Sequence, residues 1–153
     1  MSLEDELYRE IILDHYQNPR NNGIVENADY SVDGTNPLCG DQVKVSFKLD
    51  GDNLKEIKFT GEGCSISQAS ASIMTELVKG KSLEDSEKIA QIIKNMFFEG
   101  ASLDGLKDFG FDEDEIEEVE SLSGVKKYAN RVKCATVGWN ALLQGIKANK
   151  IIK

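Results

Sequence analysis

Four side chains in this sequence could act together on a soft metal ion or on sulfur. They are the three cysteines, Cys39, Cys64 and Cys134, and the carboxylate of Asp41. Asp41 lies two residues after Cys39, so in extended backbone both side chains point to the same side. Three thiolates and a carboxylate form a four-ligand set that suits zinc or an iron–sulfur species better than Mg2+ or Ca2+. The cysteines match no short zinc-ribbon spacing, however, and free cysteine is often simply buried, so both interpretations stay open.

A predicted β-hairpin brings two of these cysteines to one end of a sheet. Hydrophobic residues alternate over 43–49, turn-forming residues occupy 50–53, and the alternation resumes over 57–59. Residues that are equally far from the turn face each other in an antiparallel pair. Cys39 and Cys64 are equally far from the centre of this turn, so we expect them at the same end of the sheet.

Changes of hydrophobic period and turn signals predict the remaining elements. These are a first helix ending at Asn18-Pro19, a short strand from Tyr30 to about Gly34, and helices starting at Cys64, at Ser82 and at about Asn130. Cys64 and Cys134 are thus expected in first helical turns, where the helix dipole favours a thiolate. The pattern predicts an α+β fold, with a small antiparallel three-stranded sheet and helices packed on one of its faces.

Composition restricts the class of protein and its partners. A chain of 153 residues with 40% hydrophobic residues is large enough for one domain with a real core. The net charge of -9 argues against nucleic acid or an anionic membrane as the main partner and favours a basic docking surface. We recognise neither a membrane span nor a signal peptide, and an odd number of cysteines then indicates reduced thiols, so we expect a cytoplasmic protein.

An acidic segment occupies about 99–127. Seven carboxylates lie between Asp112 and Glu120, and such a run usually forms a solvated face or a mobile insert rather than a binding site. Its spacing is not that of a calcium-binding loop. Its expected packing residues are Phe111, Ile116, Val119 and Leu122. We therefore predict a single domain over 1–153 that contains an acidic insert.

Four stretches of the chain closely resemble the NifU/IscU-type scaffold proteins of iron–sulfur cluster assembly. They are the motifs DHYQNPRN at 14–21, NPLCGD at 36–41 and GEGCSIS at 61–67, followed by the helix that carries Cys134. The resemblance extends over nearly the whole chain. It implies an IscU-like, NifU N-terminal domain with one surface site that binds zinc or a nascent 2Fe–2S cluster, formed by Cys39, Asp41, Cys64 and Cys134.

Two features make the chain most similar to the SufU branch of that family. IscU-type scaffolds have a histidine directly before the third cysteine, where this chain has Lys133, and the acidic segment before it looks like an insertion. The resemblance then implies a zinc-dependent sulfur acceptor, or sulfurtransferase, which takes persulfide sulfur from a SufS-type cysteine desulfurase. The alternatives are a scaffold that transfers a labile 2Fe–2S cluster to an apo-protein, and a zinc ion that only braces the fold.

Three residues near these motifs receive individual predictions. Cys39 is our expected sulfur acceptor, because a loop bordered by glycine moves more easily than a thiol on a helix. Arg131, three residues before Cys134, either orients Asp41 or attracts a persulfide anion, or else it is an ordinary surface residue. His15 is the only histidine, and we expect it to pack or cap rather than to bind metal.

Overall fold

The computed structural model describes residues 3–36, 40–127 and 129–152. Cys39 lies outside these ranges. Five α-helices and three β-strands occur in the described part of the chain, in the order α1 (Leu3–Gln17), β1 (Tyr30–Asn36), β2 (Asp41–Asp50), β3 (Asn53–Glu62), α2 (Ser65–Val78), α3 (Leu83–Glu99), α4 (Glu113–Glu120) and α5 (Ala129–Ile152). Two short 3-10 helices, Asp104–Phe109 and Ser123–Lys127, flank α4.

The three strands form one antiparallel sheet in the order β1-β2-β3. The turn between β2 and β3 contains Gly51, whose φ of 64° is a left-handed conformation that glycine adopts without strain. Gln42 pairs with Glu62 at the far end of the hairpin, after an irregularity at Lys48/Leu49 that shifts the register by one residue. The predicted hairpin is therefore confirmed, and the start of β2 lies beside the end of β3, just before Cys64.

The core lies between one face of this sheet and helices α2 and α5. Val43, Val45 and Phe47 of β2 are at most 1% exposed. Trp139 of α5 is fully buried, and its indole Nε1 donates a hydrogen bond to Ser70 Oγ of α2 at 3.2 Å. The predicted α+β fold with a three-stranded antiparallel sheet is confirmed.

Helix α5 approaches its neighbours closely because glycines occupy two contact positions. A Cβ atom at Gly138 would lie 3.2 Å from the Ala71 Cβ of α2, and one at Gly145 would lie 2.7 Å from the Phe47 ring of β2. Larger side chains at these positions would push the helix away from the sheet. The close fit fixes the helix that carries Cys134 against the strand that begins with Asp41.

The acidic segment is folded onto the core. Its helix α4 starts with a capping box, in which the Asp112 side chain and the Glu115 side chain each accept a hydrogen bond from the other's backbone N–H. The predicted packing residues Phe111, Ile116, Val119 and Leu122 are all buried. The carboxylates of Asp112, Glu113 and Asp114 face solvent. The prediction of a solvated face is confirmed, whereas a mobile insert does not agree with this apolar packing.

Candidate metal and sulfur site

Three of the four predicted ligands come together at one end of the sheet. Asp41 is the first residue of β2, Cys64 is the N-cap of α2 and Cys134 lies on α5. One carboxylate oxygen and the two Sγ atoms all lie within 4.8 Å of one another. Residues 23 and 70 positions apart in sequence thus converge because β3 leads directly into α2, and α5 packs against both α2 and β2.

The junction between β3 and α2 depends on Gly63. Its φ is 141°, and a Cβ atom there would lie 2.3 Å from Asp41 Oδ1. Any other side chain would therefore collide with the carboxylate and strain the backbone. The absence of a side chain at Gly63 lets the backbone N–H of Cys64 reach Asp41 Oδ1 at 2.9 Å.

The Asp41 carboxylate is 1% exposed and accepts several hydrogen bonds. Cys64 N and Ser67 Oγ donate to Oδ1 at 2.9 and 3.2 Å, and Asn36 Nδ2 donates to Oδ2 at 3.4 Å. Burial raises the pKa of Asp41, but hydrogen bonds from Cys134, Cys64 and Ser67 together outweigh it and hold the pKa below its ordinary value. The site therefore contains a buried, ionised carboxylate.

The two described thiols occupy different environments. Cys64 is half-buried, and its Sγ accepts a hydrogen bond from the backbone N–H of Ser67 at 3.5 Å. Cys134 is buried; Asn36 Nδ2 donates to its Sγ at 3.6 Å, and the Sγ–H contacts the backbone oxygen of Asn130 at 3.5 Å. Each sulfur thus lies within hydrogen-bond distance of one N–H donor.

Two helix positions differ from those predicted. Cys64 does not lie within the first turn of its helix but caps it, since its side chain accepts the N–H of Ser67. Cys134 was expected in a first turn, but α5 already begins at Ala129, so this cysteine falls in the second turn. Cys64 therefore lies at the very N-terminus of α2, whereas Cys134 lies further inside α5.

The remaining predicted residues fall around this cluster or away from it. Cys39 stays a prediction as ligand and acceptor, because it lies outside the described residues. Arg131 and Lys133 are exposed on α5, and the hydrogen bonds described for Asp41 come from other groups. His15 is buried away from the cluster, with Nδ1 2.8 Å from Ser72 Oγ, which agrees with the predicted packing role.

Sequence reasoning missed three residues that shape the site. Asn36 and Ser67 hydrogen-bond Asp41, and Gly63 leaves room for it. All three residues lie within the motifs that carry the resemblance. Asn36 begins the NPLCGD motif that contains Cys39, Gly63 directly precedes Cys64, and Ser67 ends the GEGCSIS motif. Their common role depends on the strand register, which places these neighbours around one carboxylate.

The donor chemistry of the described cluster fits a soft divalent metal. Two sulfurs and a carboxylate oxygen are ligands of zinc and of iron–sulfur species, and the three atoms lie close enough together that they could hold one ion. An ion held by these three ligands could accept a further ligand. Among the described helices, none is long and apolar enough to cross a membrane.

Comparisons with known proteins agree with the fold and the motifs. The model of the NifU-like N terminal domain matches residues 7–135. The chain is 46% identical to the zinc-dependent sulfurtransferase SufU of Bacillus subtilis, over 93% of this chain and 90% of that protein. It is 37% identical to the iron-sulfur cluster assembly scaffold protein IscU of Streptococcus pyogenes, over 96% of this chain and 87% of that protein.

A solved structure of a related protein also agrees with the fold. The crystal structure of a SUF-system protein, FiSufU of Fervidobacterium islandicum, superposes with a TM-score of 0.77 at 34% identity. The match covers 90% of this chain and 94% of that chain. The resemblance inferred from the cysteine motifs is thereby confirmed, and the chain belongs to the NifU-like N-terminal domain family.

Proposed function

We propose that this protein is a zinc-dependent sulfur acceptor of iron–sulfur cluster assembly. The observation that carries the proposal is the convergence of the Asp41 carboxylate with the Cys64 and Cys134 thiols within 4.8 Å. This donor set occurs in a chain that is 46% identical to a zinc-dependent sulfurtransferase. Cys39, Asp41, Cys64 and Cys134 are the proposed zinc ligands.

The surroundings of the site support a cation. Asp41 is buried and ionised, yet its hydrogen-bond partners among the described residues, Asn36, Cys64, Ser67 and Cys134, are neutral donors. A positive charge next to a carboxylate favours its ionised form. Zinc would supply that charge and would keep the cysteine ligands deprotonated at neutral pH.

The proposed reaction is a transfer of one sulfur atom between two cysteines. The Cys39 thiolate attacks the terminal sulfur of a persulfide carried by the partner enzyme. A new S–S bond forms on Cys39 while the S–S bond of the donor breaks, and its electron pair leaves on the donor cysteine as a thiolate. No external oxidant or reductant is required. Asp41, Cys64 and Cys134 remain as the ligands that hold the site together.

The proposed partner is a SufS-type cysteine desulfurase. The net charge of -9 favours docking against a basic surface of such an enzyme. The reaction also requires free thiols, which persist in a reducing compartment such as the cytoplasm.

A scaffold function is the second candidate, favoured by the 37% identity to an IscU scaffold protein over 96% of the chain. Anaerobic reconstitution with iron and sulfide distinguishes the two functions. A 2Fe–2S cluster that forms in high yield and transfers to an apo-protein supports the scaffold. Zinc that stays bound and prevents cluster formation supports the sulfur acceptor.

Native mass spectrometry tests the proposed function directly. The purified chain should carry one zinc ion, and incubation with desulfurase and cysteine should add the mass of sulfur. Cys39→Ser should abolish both sulfur loading and stimulation of the desulfurase, whereas Ser31→Ala, a change at an exposed position of β1, should leave both unchanged. Near-normal stimulation by Cys39→Ser would eliminate Cys39 as the acceptor.

Chelation separates this function from a purely structural zinc. A chain of this length can bury a core without a metal, so we expect the zinc-free chain to lose activity and keep most of its fold. Circular dichroism of the chelated protein measures this, and global unfolding on chelation would indicate a structural ion instead.

A further inference from the structure

We propose that Asn36 is a positioning residue that holds Asp41 and Cys134 together for the metal. The inference rests on the proposed zinc site and adds a residue that does not itself bind the ion. Asn36 is the last residue of β1 and is 5% exposed. Its side-chain amide lies between a ligand from the sheet and a ligand from the C-terminal helix.

The sheet register explains why Asn36 reaches Asp41. The two residues face each other as the last pair of the β1–β2 ladder, and directly opposite residues in an antiparallel pair place their side chains on the same face. Asn36 Nδ2 is consequently 3.4 Å from Asp41 Oδ2. The residues between them, 37–40, connect the two strands, so this pair closes the base of the connection that contains Cys39.

The same amide also reaches α5. Asn36 Nδ2 lies 3.6 Å from Cys134 Sγ. An asparagine side chain has two N–H donors, so one can serve the carboxylate while the other serves the sulfur. A single buried side chain therefore links two ligands that are far apart in sequence.

Asn36 and Ser67 have parallel roles on the two sides of Asp41. Ser67 Oγ donates to Asp41 Oδ1 and its backbone N–H donates to Cys64 Sγ, which joins the carboxylate to α2. Asn36 joins the carboxylate to α5 in the same manner. Groups that orient metal ligands commonly change metal affinity by about 10- to 100-fold when they are removed. We expect an effect in this range at Asn36.

Zinc affinity and thermal unfolding of the full chain test this role. The variant Asn36→Ala should raise the zinc dissociation constant about ten-fold or more, measured by competition with a chromogenic chelator. Zinc should also raise its unfolding temperature less than it raises that of the wild type, because stabilisation by a ligand follows its affinity.

Asn149→Ala is the matched control. Asn149 is also a buried amide, 7% exposed, and it accepts a hydrogen bond from Tyr30 Oη at 3.1 Å, outside the ligand cluster. This variant should lose stability without zinc but keep the wild-type zinc affinity. A merely structural Asn36 would behave in the same way as this control.

Asn36→Ser provides a second measurement that does not depend on the alanine variant folding. A serine hydroxyl can donate to only one acceptor. The zinc affinity of Asn36→Ser should therefore be lower than that of the wild type and, if both variants fold, higher than that of Asn36→Ala. Wild-type zinc affinity in either Asn36 variant would overturn the inference while leaving the proposed function intact. A wild-type protein that binds no zinc would overturn both.

Discussion

Two polar clusters contact helix α2, and they differ in the kinds of atoms that they bring together. The site cluster, at the N-terminal end of α2, consists of Asn36, Asp41, Cys64, Ser67 and Cys134. The His15 cluster lies about two turns further along α2 and consists of His15, Ser72 and Glu118. Both join distant parts of the chain through buried hydrogen bonds.

The His15 cluster satisfies its own polar groups. His15 Nδ1 lies 2.8 Å from Ser72 Oγ and Nε2 lies 3.4 Å from Glu118 Oε1, while the backbone N–H of Arg20 donates to Ser72 Oγ. One donor therefore faces one acceptor at each contact in this cluster. Such a network ties α1 and α4 to α2 and needs no further ligand.

The site cluster instead concentrates metal-binding atoms. A carboxylate and two sulfurs lie within 4.8 Å of one another, and the donors around the carboxylate are neutral. The difference teaches that buried polarity alone does not identify a functional site. A functional site is indicated when negatively charged or ionisable ligands converge and no cation is found among their described hydrogen-bond partners.

The largest expected effect comes from removing the charge at the centre of the site cluster. Asp41→Ala should weaken zinc binding by more than the roughly 10- to 100-fold expected for residues that only orient ligands. Chelator competition measures the change, and Asp33→Ala, at an exposed position of β1, is a matched control. Zinc affinity within about three-fold of the wild type would remove Asp41 from the ligand set and weaken the comparison.

The position of Asp41 and Cys64 was predictable because it depends on local pattern. Alternation in β2 and β3 and the glycine-containing turn determine the hairpin, and the hairpin determines which residues share its open end. The convergence of Cys134 required the packing of α5 against the sheet, which its small residues Gly138 and Gly145 permit. The prediction that Cys39 joins this site rests on the motif resemblance and stays a prediction.

The supporting residues were not predictable in the same way. Asn36 acts through a cross-strand neighbour and a helix about a hundred residues away, and no periodic pattern encodes that contact. The acidic segment shows the same limit. Its charges predicted solvent exposure, whereas the burial of Leu103 and Leu106 within it follows from tertiary packing. The contact between Glu118 and His15 likewise joins residues far apart in sequence, and the sequence pattern did not predict it.

An intermediate effect is expected from the His15 cluster. His15→Ala removes a buried imidazole and leaves Ser72 and Glu118 without their partner, which should reduce the free energy of unfolding by about 2–4 kcal/mol. Urea denaturation of the zinc-free protein measures this loss. Zinc affinity of the folded variant should stay at the wild-type value, and a parallel loss of zinc affinity would show that the two clusters are coupled.

The smallest effect concerns the exposed ion pair next to His15. Arg20 Nη2 lies 2.6 Å from Asp14 Oδ2, and this hydrogen bond, followed by that from Asn18, lowers the pKa of Asp14 below 3.8. Asp14→Asn should cost less than about 1 kcal/mol, because solvent screens exposed pairs and Asp14 lies in the last turn of α1, where the helix dipole opposes a negative charge.

The pH dependence of that small effect has a defined sign. Because the folded-state pKa is lowered, the Asp14 contribution is fully present above the unfolded pKa, near 3.8, and disappears as pH falls through the folded value. Urea unfolding of wild type and Asp14→Asn should therefore differ at pH 7 and converge at acidic pH. If the two proteins still differ as much in free energy of unfolding at acidic pH, Asp14 acts through packing or helix capping. Its charge would then contribute nothing to how α1 is held beside the His15 cluster.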